Sequence, residues 1–172
     1  MKRFLLPACA AMLLAAGAPA RADDFSFEVD SPKFRVTLPG VPPMKMSPHP
    51  MHEKQPHLRY LGSQGPYTVS IITPAAQAGM TPLECASAIV RSLASRHGFP
   101  ADTAMIKTRL DENTYAAMYA LSVGGAVQLN AHFLSAAGGK YCVEVQASKM
   151  SDSPDDIVPW MKSLDGARIV PE

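Results

Sequence analysis

Two glycine pairs, Gly124-Gly125 and Gly138-Gly139, constrain the fold of this chain most, because they divide its C-terminal half into separate apolar stretches. These stretches span residues 115–123, 126–134 and 141–147, and each has the length of a β-strand. Glycine accepts the positive φ that tight hairpin turns require. The pattern therefore predicts three consecutive strands in an antiparallel meander.

The N-terminal third shows the alternation of apolar and polar residues that is typical of half-buried strands. Apolar and polar residues alternate over residues 25–30 and again over residues 34–38, and Pro39-Gly40 ends the second run. Five prolines between residues 42 and 56 predict an irregular segment or sheet edges. Residues 57–62 and 67–73 predict a hairpin around Ser63-Gln64-Gly65-Pro66.

Two helices are predicted by their start signals. Thr81-Pro82-Leu83-Glu84 combines an N-cap threonine, a proline at the first helical position and a capping-box glutamate, and the helix should end near His97 with Gly98 closing it. Its expected apolar stripe consists of Leu83, Ala86, Ile89, Val90 and Leu93. Ser153-Pro154-Asp155-Asp156 predicts a second helix to about Leu164, and residues 167–170 predict a final short strand.

Strands followed by helices in this order favour an α+β fold over a doubly wound parallel sheet. Several features, in this order, together resemble the PsbP-like superfamily, whose bacterial exported members include DcrB-type proteins. They are the stretch Phe34-Arg35-Val36-Thr37-Leu38-Pro39-Gly40-Val41-Pro42, the hairpin, the helix, the meander and a terminal helix with Trp160-Met161-Lys162-Ser163-Leu164. The resemblance implies an antiparallel central sheet with helices on both faces, a three-layer α/β/α sandwich. It also implies accessory and assembly roles and no catalytic residue.

Residues 1–22 read as a secretory signal peptide. Lys2 and Arg3 form a positive start, residues 5–18 are mostly apolar, and Ala20-Arg21-Ala22 is a small-x-small cleavage site. The alternative of a membrane anchor is weakened by Pro7, Gly17 and Pro19, and the segment before Cys9 is short for a lipoprotein signal. We therefore expect an exported chain, residues 23–172 forming a single domain in the periplasm or outside the cell, with no membrane span after cleavage.

The charge balance excludes some functions. Cleavage removes three of the 16 basic residues and none of the 15 acidic ones, which leaves a formal net charge of −2. Near-neutrality argues against nucleic acid or an anionic membrane surface as a partner.

Export also leaves two cysteines, Cys85 and Cys142, in an oxidising compartment. A separation of 57 residues is typical of a structural disulfide, whereas a redox-active pair favours C-x-x-C spacing. Two buried free thiols, or a reactive or metal-bound pair, are the alternatives.

A Met/His-rich segment is the one candidate metal site. Met44, Met46, His49, Met51, His52 and His57 lie within 14 residues, and thioether and imidazole ligands suit Cu(I) and Cu(II). In the alternative interpretation, the methionines fill the core and the histidines lie in a solvated loop. Copper is thus a candidate cofactor, and otherwise no cofactor is expected.

No catalytic set is evident in the sequence. The motifs H-E-x-x-H, G-x-S-x-G, G-x-x-x-x-G-K-[ST] and C-x-x-C are absent. His97 and His132 are interpreted as structural, and the acid pairs Asp111-Glu112 and Asp155-Asp156 as solvated or capping. The aromatic side chains are interpreted first as core and cross-strand partners, and a ligand groove is the alternative for Tyr60, Tyr67, Tyr115, Tyr119, Phe133 and Tyr141.

These observations lead to functional hypotheses of different classes. The first is a non-enzymatic, exported accessory module of the cell envelope that binds another protein, and an immunity-type protein belongs to this class. The second is a periplasmic copper-binding protein that uses the Met/His segment. A hydrolase is a third interpretation, which no set of residues favours.

Overall fold

Ten strands and two α-helices form the part of the chain that this computed structural model describes, residues 24–99 and 106–172. The predicted signal peptide, including Cys9, lies outside these residues. The elements are β1 (Phe25–Asp30), β2 (Lys33–Leu38), β3 (Ser47–Pro48), β4 (Leu58–Gln64), β5 (Tyr67–Ile72), α1 (Pro82–His97), β6 (Ile106–Arg109), β7 (Tyr115–Val123), β8 (Ala126–Ala137), β9 (Tyr141–Ser151), α2 (Ile157–Ser163) and β10 (Arg168–Pro171).

The predicted meander is confirmed as β7, β8 and β9. Tyr115 pairs with Leu134, and Leu134 in turn pairs with Glu144, so the three strands run antiparallel in a continuous ladder. Gly124 and Gly125 have φ values of 58° and 86°, which a side chain would disfavour. The glycine pairs therefore form the turns that the sequence indicates.

The meander is the centre of a seven-stranded antiparallel sheet with the order β3-β4-β5-β9-β8-β7-β6. The predicted hairpin is confirmed as β4 and β5, and it joins the meander through β5 and β9. β6 was not predicted; it is a four-residue edge strand that pairs only with β7 in the described ranges.

A second, three-stranded antiparallel sheet has the order β1-β2-β10. The alternation predicted for the first two strands is confirmed, since Phe25, Val29, Phe34 and Val36 are buried. β10 is the predicted final strand. It covers β8 of the large sheet, and its Ile169 N–H donates to Thr114 Oγ1 at 3.0 Å.

Helix α1 begins and ends where the sequence predicts. Thr81 Oγ1 accepts a hydrogen bond from the Glu84 N–H, and the Glu84 carboxylate accepts one from the Thr81 N–H. Gly98 closes the helix in the left-handed conformation. One expectation is wrong: Leu83 is 55% exposed, because it lies in the first turn of the helix at the edge of the sheet, whereas the buried residues are Cys85, Ala86, Ile89, Leu93 and Ala94.

The second predicted helix begins with a short 3₁₀ turn, Pro154–Asp156, and continues as α2. Ser153 caps the turn, because its hydroxyl accepts a hydrogen bond from the Asp155 N–H at 3.2 Å. Trp160 and Leu164 bury this end of the chain in the core between the two sheets.

The two faces of the large sheet have different covers. Helix α1 covers one face, and the three-stranded sheet together with α2 covers the other. The prediction of antiparallel sheets with two helices is confirmed at this level. The cover of the second face is mainly another sheet, where the expected sandwich had helices. Helix α2 has only seven residues, and β1, β2 and β10 contribute more buried core residues there than α2 does.

None of the helices in residues 24–99 and 106–172 has the length and apolar character needed to cross a membrane.

Candidate functional site

An open groove of about 1190 Å³ lies beside α1 in the described part of the chain. Helix α1 packs on β7, β8 and β9, and it leaves the same face of β4 and β5 open. Leu58 and Ile72 line the groove from these two strands, and Leu83 and Arg91 line it from the helix. The groove thus lies between a helix and a sheet, a common position for binding sites.

The floor of the groove is set by the register of the large sheet. Leu58 pairs with Ile72, Ile72 with Glu144, and Glu144 with Leu134, so these side chains form one row across four strands. Side chains that are directly opposite each other share a face and lie about 5 Å apart. Glu144 is therefore a single carboxylate within an apolar row.

A buried chain of hydrogen bonds leads from Glu144 to the end of α1. Glu144 Oε1 lies 2.8 Å from His132 Nδ1, and His132 Nε2 lies 3.0 Å from the Tyr119 hydroxyl. The same hydroxyl lies 3.3 Å from His97 Nε2. The Tyr119 and His132 rings are stacked with their centroids 5.3 Å apart. Strands β7, β8 and β9 each contribute one member, on the face that α1 covers.

The donor and acceptor groups determine which atom donates each hydrogen bond, beginning at Glu144. A carboxylate only accepts, so His132 Nδ1 donates to Glu144. When His132 is neutral, its Nε2 accepts from the Tyr119 hydroxyl, and the hydroxyl in turn accepts from His97. In this arrangement Glu144 accepts through Oε1 at the floor of the groove.

Burial shifts the pKa values of His97 and Tyr119, the two titratable groups at the α1 end of these hydrogen bonds. Burial, together with the nearby Arg96 and His132, lowers the pKa of His97 below its usual value. Burial and the Glu144 charge raise the pKa of Tyr119 to about 12. Both side chains are thus neutral near pH 7. The structural role predicted for His97 and His132 did not include this connection.

The predicted disulfide is present between Cys85 and Cys142, whose Cα atoms are 5.3 Å apart. It joins the first turn of α1 to β9, and Cys142 also lines the groove. Because Cys142 and Glu144 are two residues apart on one strand, their side chains share a face. The disulfide therefore fixes the helix wall next to the acidic floor.

The Met/His segment divides into three parts in the structure. Met44 and Met46 pack against Gly62 at the margin of the core between the sheets; a Cβ built on Gly62 would lie 2.5 Å from Met46 Sδ. This position agrees with the interpretation of these methionines as core side chains.

His49, Met51 and His52 share one turn, apart from the two methionines that pack on Gly62. His49 Nδ1 accepts from the Met51 N–H at 3.1 Å, and His52 Nδ1 donates to the Leu58 carbonyl at 2.8 Å. His57 is exposed and lines the groove. In the described residues, no three His, Cys, Asp or Glu side chains are grouped to hold a metal ion.

The other candidate residues have local contacts. Asp111 Oδ1 accepts from the N–H groups of Asn113 and Thr114, and Asp156 accepts from the Ser151 hydroxyl. Tyr60 packs edge-on against Phe27 with a centroid distance of 5.0 Å. Of the six aromatic residues considered for a groove, Tyr119 joins the buried chain that ends at the groove floor, and Phe133 lies in the core between the two sheets.

Sequence comparison and structure comparison give different results. Neither a protein-family model nor a curated protein matches the sequence of this chain. The solution structure of cyanobacterial PsbP (CyanoP) from Synechocystis sp. PCC 6803 is similar, with a TM-score of 0.53 and 11% sequence identity over 88% of this chain and 95% of that chain. By this similarity of architecture, the chain has a PsbP-like fold.

Proposed function

We propose that this protein is an exported, non-catalytic accessory module of the cell envelope that binds a partner protein through the groove beside α1. The groove is the observation that carries the proposal, because it is large, open and lined by both apolar and charged side chains. The PsbP-like fold supports it through the accessory and assembly roles that the family resemblance implies.

The compartment is part of the proposal. A disulfide persists in oxidising compartments, and the Cys85–Cys142 bond is consistent with export to the periplasm. Immunity to an exported toxin is a special case of the same function, since neutralising a toxin needs only a folded recognition surface.

The test is photo-crosslinking in living cells with the full-length chain. A photoreactive phenylalanine replaces Leu83, which is exposed at the groove, or Val170, which is 45% exposed on the three-stranded sheet. We expect a stoichiometric adduct with one envelope protein from position 83 and none from position 170. The purified partner should then bind the purified chain, and Ala88→Arg, on the groove wall, should reduce that binding at least tenfold.

Two results would contradict the groove as the binding surface. One is the absence of any adduct from position 83 in cells that export the protein. The other is equal crosslinking from positions 83 and 170. If the partner is a toxin whose activity the chain inhibits, the function is of the immunity type.

Copper binding is the second candidate, and one observation favours a smaller site with three of the six predicted ligands. His49, Met51 and His52 lie in a single turn with Met51 exposed, so one turn carries two imidazoles and one thioether. Such ligands suit copper in either oxidation state.

Competition titrations with Cu(I) and with Cu(II) separate the two groups of residues. Binding tighter than micromolar that is lost in the triple variant His49→Ala, Met51→Ala, His52→Ala would support the site. The matched control, Met44→Leu with Met46→Leu, should keep the affinity, because these side chains pack on Gly62. Wild-type protein that does not bind copper would exclude this candidate.

A further inference from the structure

Glu144 is an ionisable group in an apolar setting, and within the described residues one of its two carboxylate oxygens has no hydrogen bond. Its side chain is 7% exposed, and its neighbours across the sheet are Ile72 and Leu134. Within residues 24–99 and 106–172, His132 is its only ion-pair partner, and that contact uses Oε1. No hydrogen bond to Oε2 is present among these residues, and the residue lines the groove.

An ionised carboxylate in such surroundings is costly to bury unless hydrogen bonds and an opposite charge compensate it. His132 compensates Oε1 through a hydrogen bond, and through an ion pair when it is protonated. A cationic donor that enters the groove would bind the other oxygen, Oε2. The buried chain through His132 and Tyr119 also holds the carboxylate in place, so it is ordered before a ligand arrives.

The surroundings of Glu144 favour a particular kind of cation. Leu58 and Ile72 line the approach to the carboxylate, and they suit an apolar stem. Lysine and arginine side chains have such stems and carry their charge at the end. Arg91 and Arg96, both exposed on the helix wall of the groove, favour acidic residues beside that cation. Glu84, at the start of the helix, is already engaged with Thr81.

We infer that the groove binds its partner through a lysine or arginine side chain of a polypeptide. The stem of that side chain lies on Leu58 and Ile72, and its charged group lies on Glu144. Acidic residues of the same segment lie next to Arg91 and Arg96. This inference rests on the proposed function. It identifies the chemistry of the segment that the groove recognises.

The test uses fluorescence anisotropy with the full-length, disulfide-intact chain and synthetic peptides. The probe peptide has one central lysine flanked by leucine and aspartate residues. Matched peptides carry arginine, Nε-acetyl-lysine or norleucine at the central position. We expect the lysine and arginine peptides to bind at least tenfold more tightly than the two uncharged ones.

Two variants test the role of Glu144 directly. Glu144→Gln keeps an acceptor for His132 and removes the charge, and it should reduce the preference for lysine to less than twofold. Glu112→Gln removes one negative charge from an exposed turn outside the groove, and it should leave the preference unchanged. If Glu144→Gln does not fold, Ile72→Arg serves instead, because it places a cation directly opposite Glu144 and should abolish the preference.

The outcomes separate this inference from the proposal on which it rests. Equal binding of all four peptides, no binding, or a lysine preference that survives Glu144→Gln would overturn the lysine or arginine anchor. If crosslinking from position 83 persists in that case, partner binding at the groove still holds. Cadaverine or agmatine binding as tightly as the lysine peptide would overturn the anchor in favour of a small cationic ligand.

Discussion

At the scale of single residues, His97 gives the folded state a specific pH dependence. Burial, Arg96 and His132 lower the pKa of His97 below 6.5, its usual value. The unfolded chain therefore binds a proton at a higher pH than the folded chain does. In the interval between the lowered pKa and 6.5, the free energy of unfolding falls as the pH falls.

We expect His97→Gln to reduce this decrease, because glutamine keeps a donor for Tyr119 and does not titrate. Urea unfolding at intervals from about pH 7 to about pH 5 measures the slope in both proteins. The lowered pKa values of Glu84 and Glu172 affect the free energy of unfolding below about pH 4.5, and they do so equally in the wild type and in the variant. Equal slopes above pH 5 would show that His97 is not responsible.

Gly62 is a residue at which a methyl group should be poorly tolerated. A Cβ there would lie 2.5 Å from Met46 Sδ and 2.9 Å from the Lys45 carbonyl oxygen. Gly62→Ala should therefore lower the free energy of unfolding by about 1–3 kcal/mol, as overpacking does. Chemical denaturation measures this loss. In the Met46→Ala background the same substitution should cost less, and an equal cost would mean that the sulfur is not the obstacle.

At the scale of elements, the disulfide is expected to stabilise the fold by joining α1 to β9. It closes a loop of 57 residues, which corresponds to roughly 4 kcal/mol in the chain-entropy account. The double variant Cys85→Ala, Cys142→Ala should lose about this amount in denaturant titrations. Wild-type protein unfolded in the presence of a strong reductant provides the control. A loss below about 1 kcal/mol in both would contradict a stabilising role.

Elements with strong local signals were predicted closely from the sequence. The capping box and Gly98 gave both ends of α1, and the glycine pairs gave the turns of the meander. β6 was missed because a four-residue edge strand has no turn signal and little apolar repeat. The exposure of Leu83 was missed because its position at the start of the helix places it at the groove edge, where the sheet does not cover it.

The buried chain behind the groove could not be predicted, because it depends on the relative register of three strands. His132 pairs with Ala117 and with Gln146, so Tyr119 and Glu144 are its diagonal neighbours. These strand pairings cannot be inferred from a single sequence. One usable signal was present: a histidine and a glutamate, each inside an apolar strand, need polar partners when they are buried.

At the scale of the whole molecule, the C-terminal strand holds the two sheets together. Ile169 is 1% exposed and belongs to the core between them, whereas its neighbour Val170 is 45% exposed. Ile169→Ala should lower the free energy of unfolding by about 2–5 kcal/mol. Val170→Ala is the matched control and should change it by less than about 0.5 kcal/mol. Similar losses in both variants, measured by urea unfolding, would mean that β10 does not cover the core as described.

The position of the disulfide determines how the groove can change its width. The bond holds α1 to β9 at Cys85, 12 residues before His97, and a helix of that length extends about 18 Å. A rotation of about 5° around this fixed point would move the His97 end by about 1.5 Å and leave the Cys142 end of the groove unchanged. Such a rotation would also separate His97 from Tyr119, now 3.3 Å apart. The groove should therefore open as a wedge from the His97 end, and its width there should be coupled to the hydrogen bonds that hold Glu144.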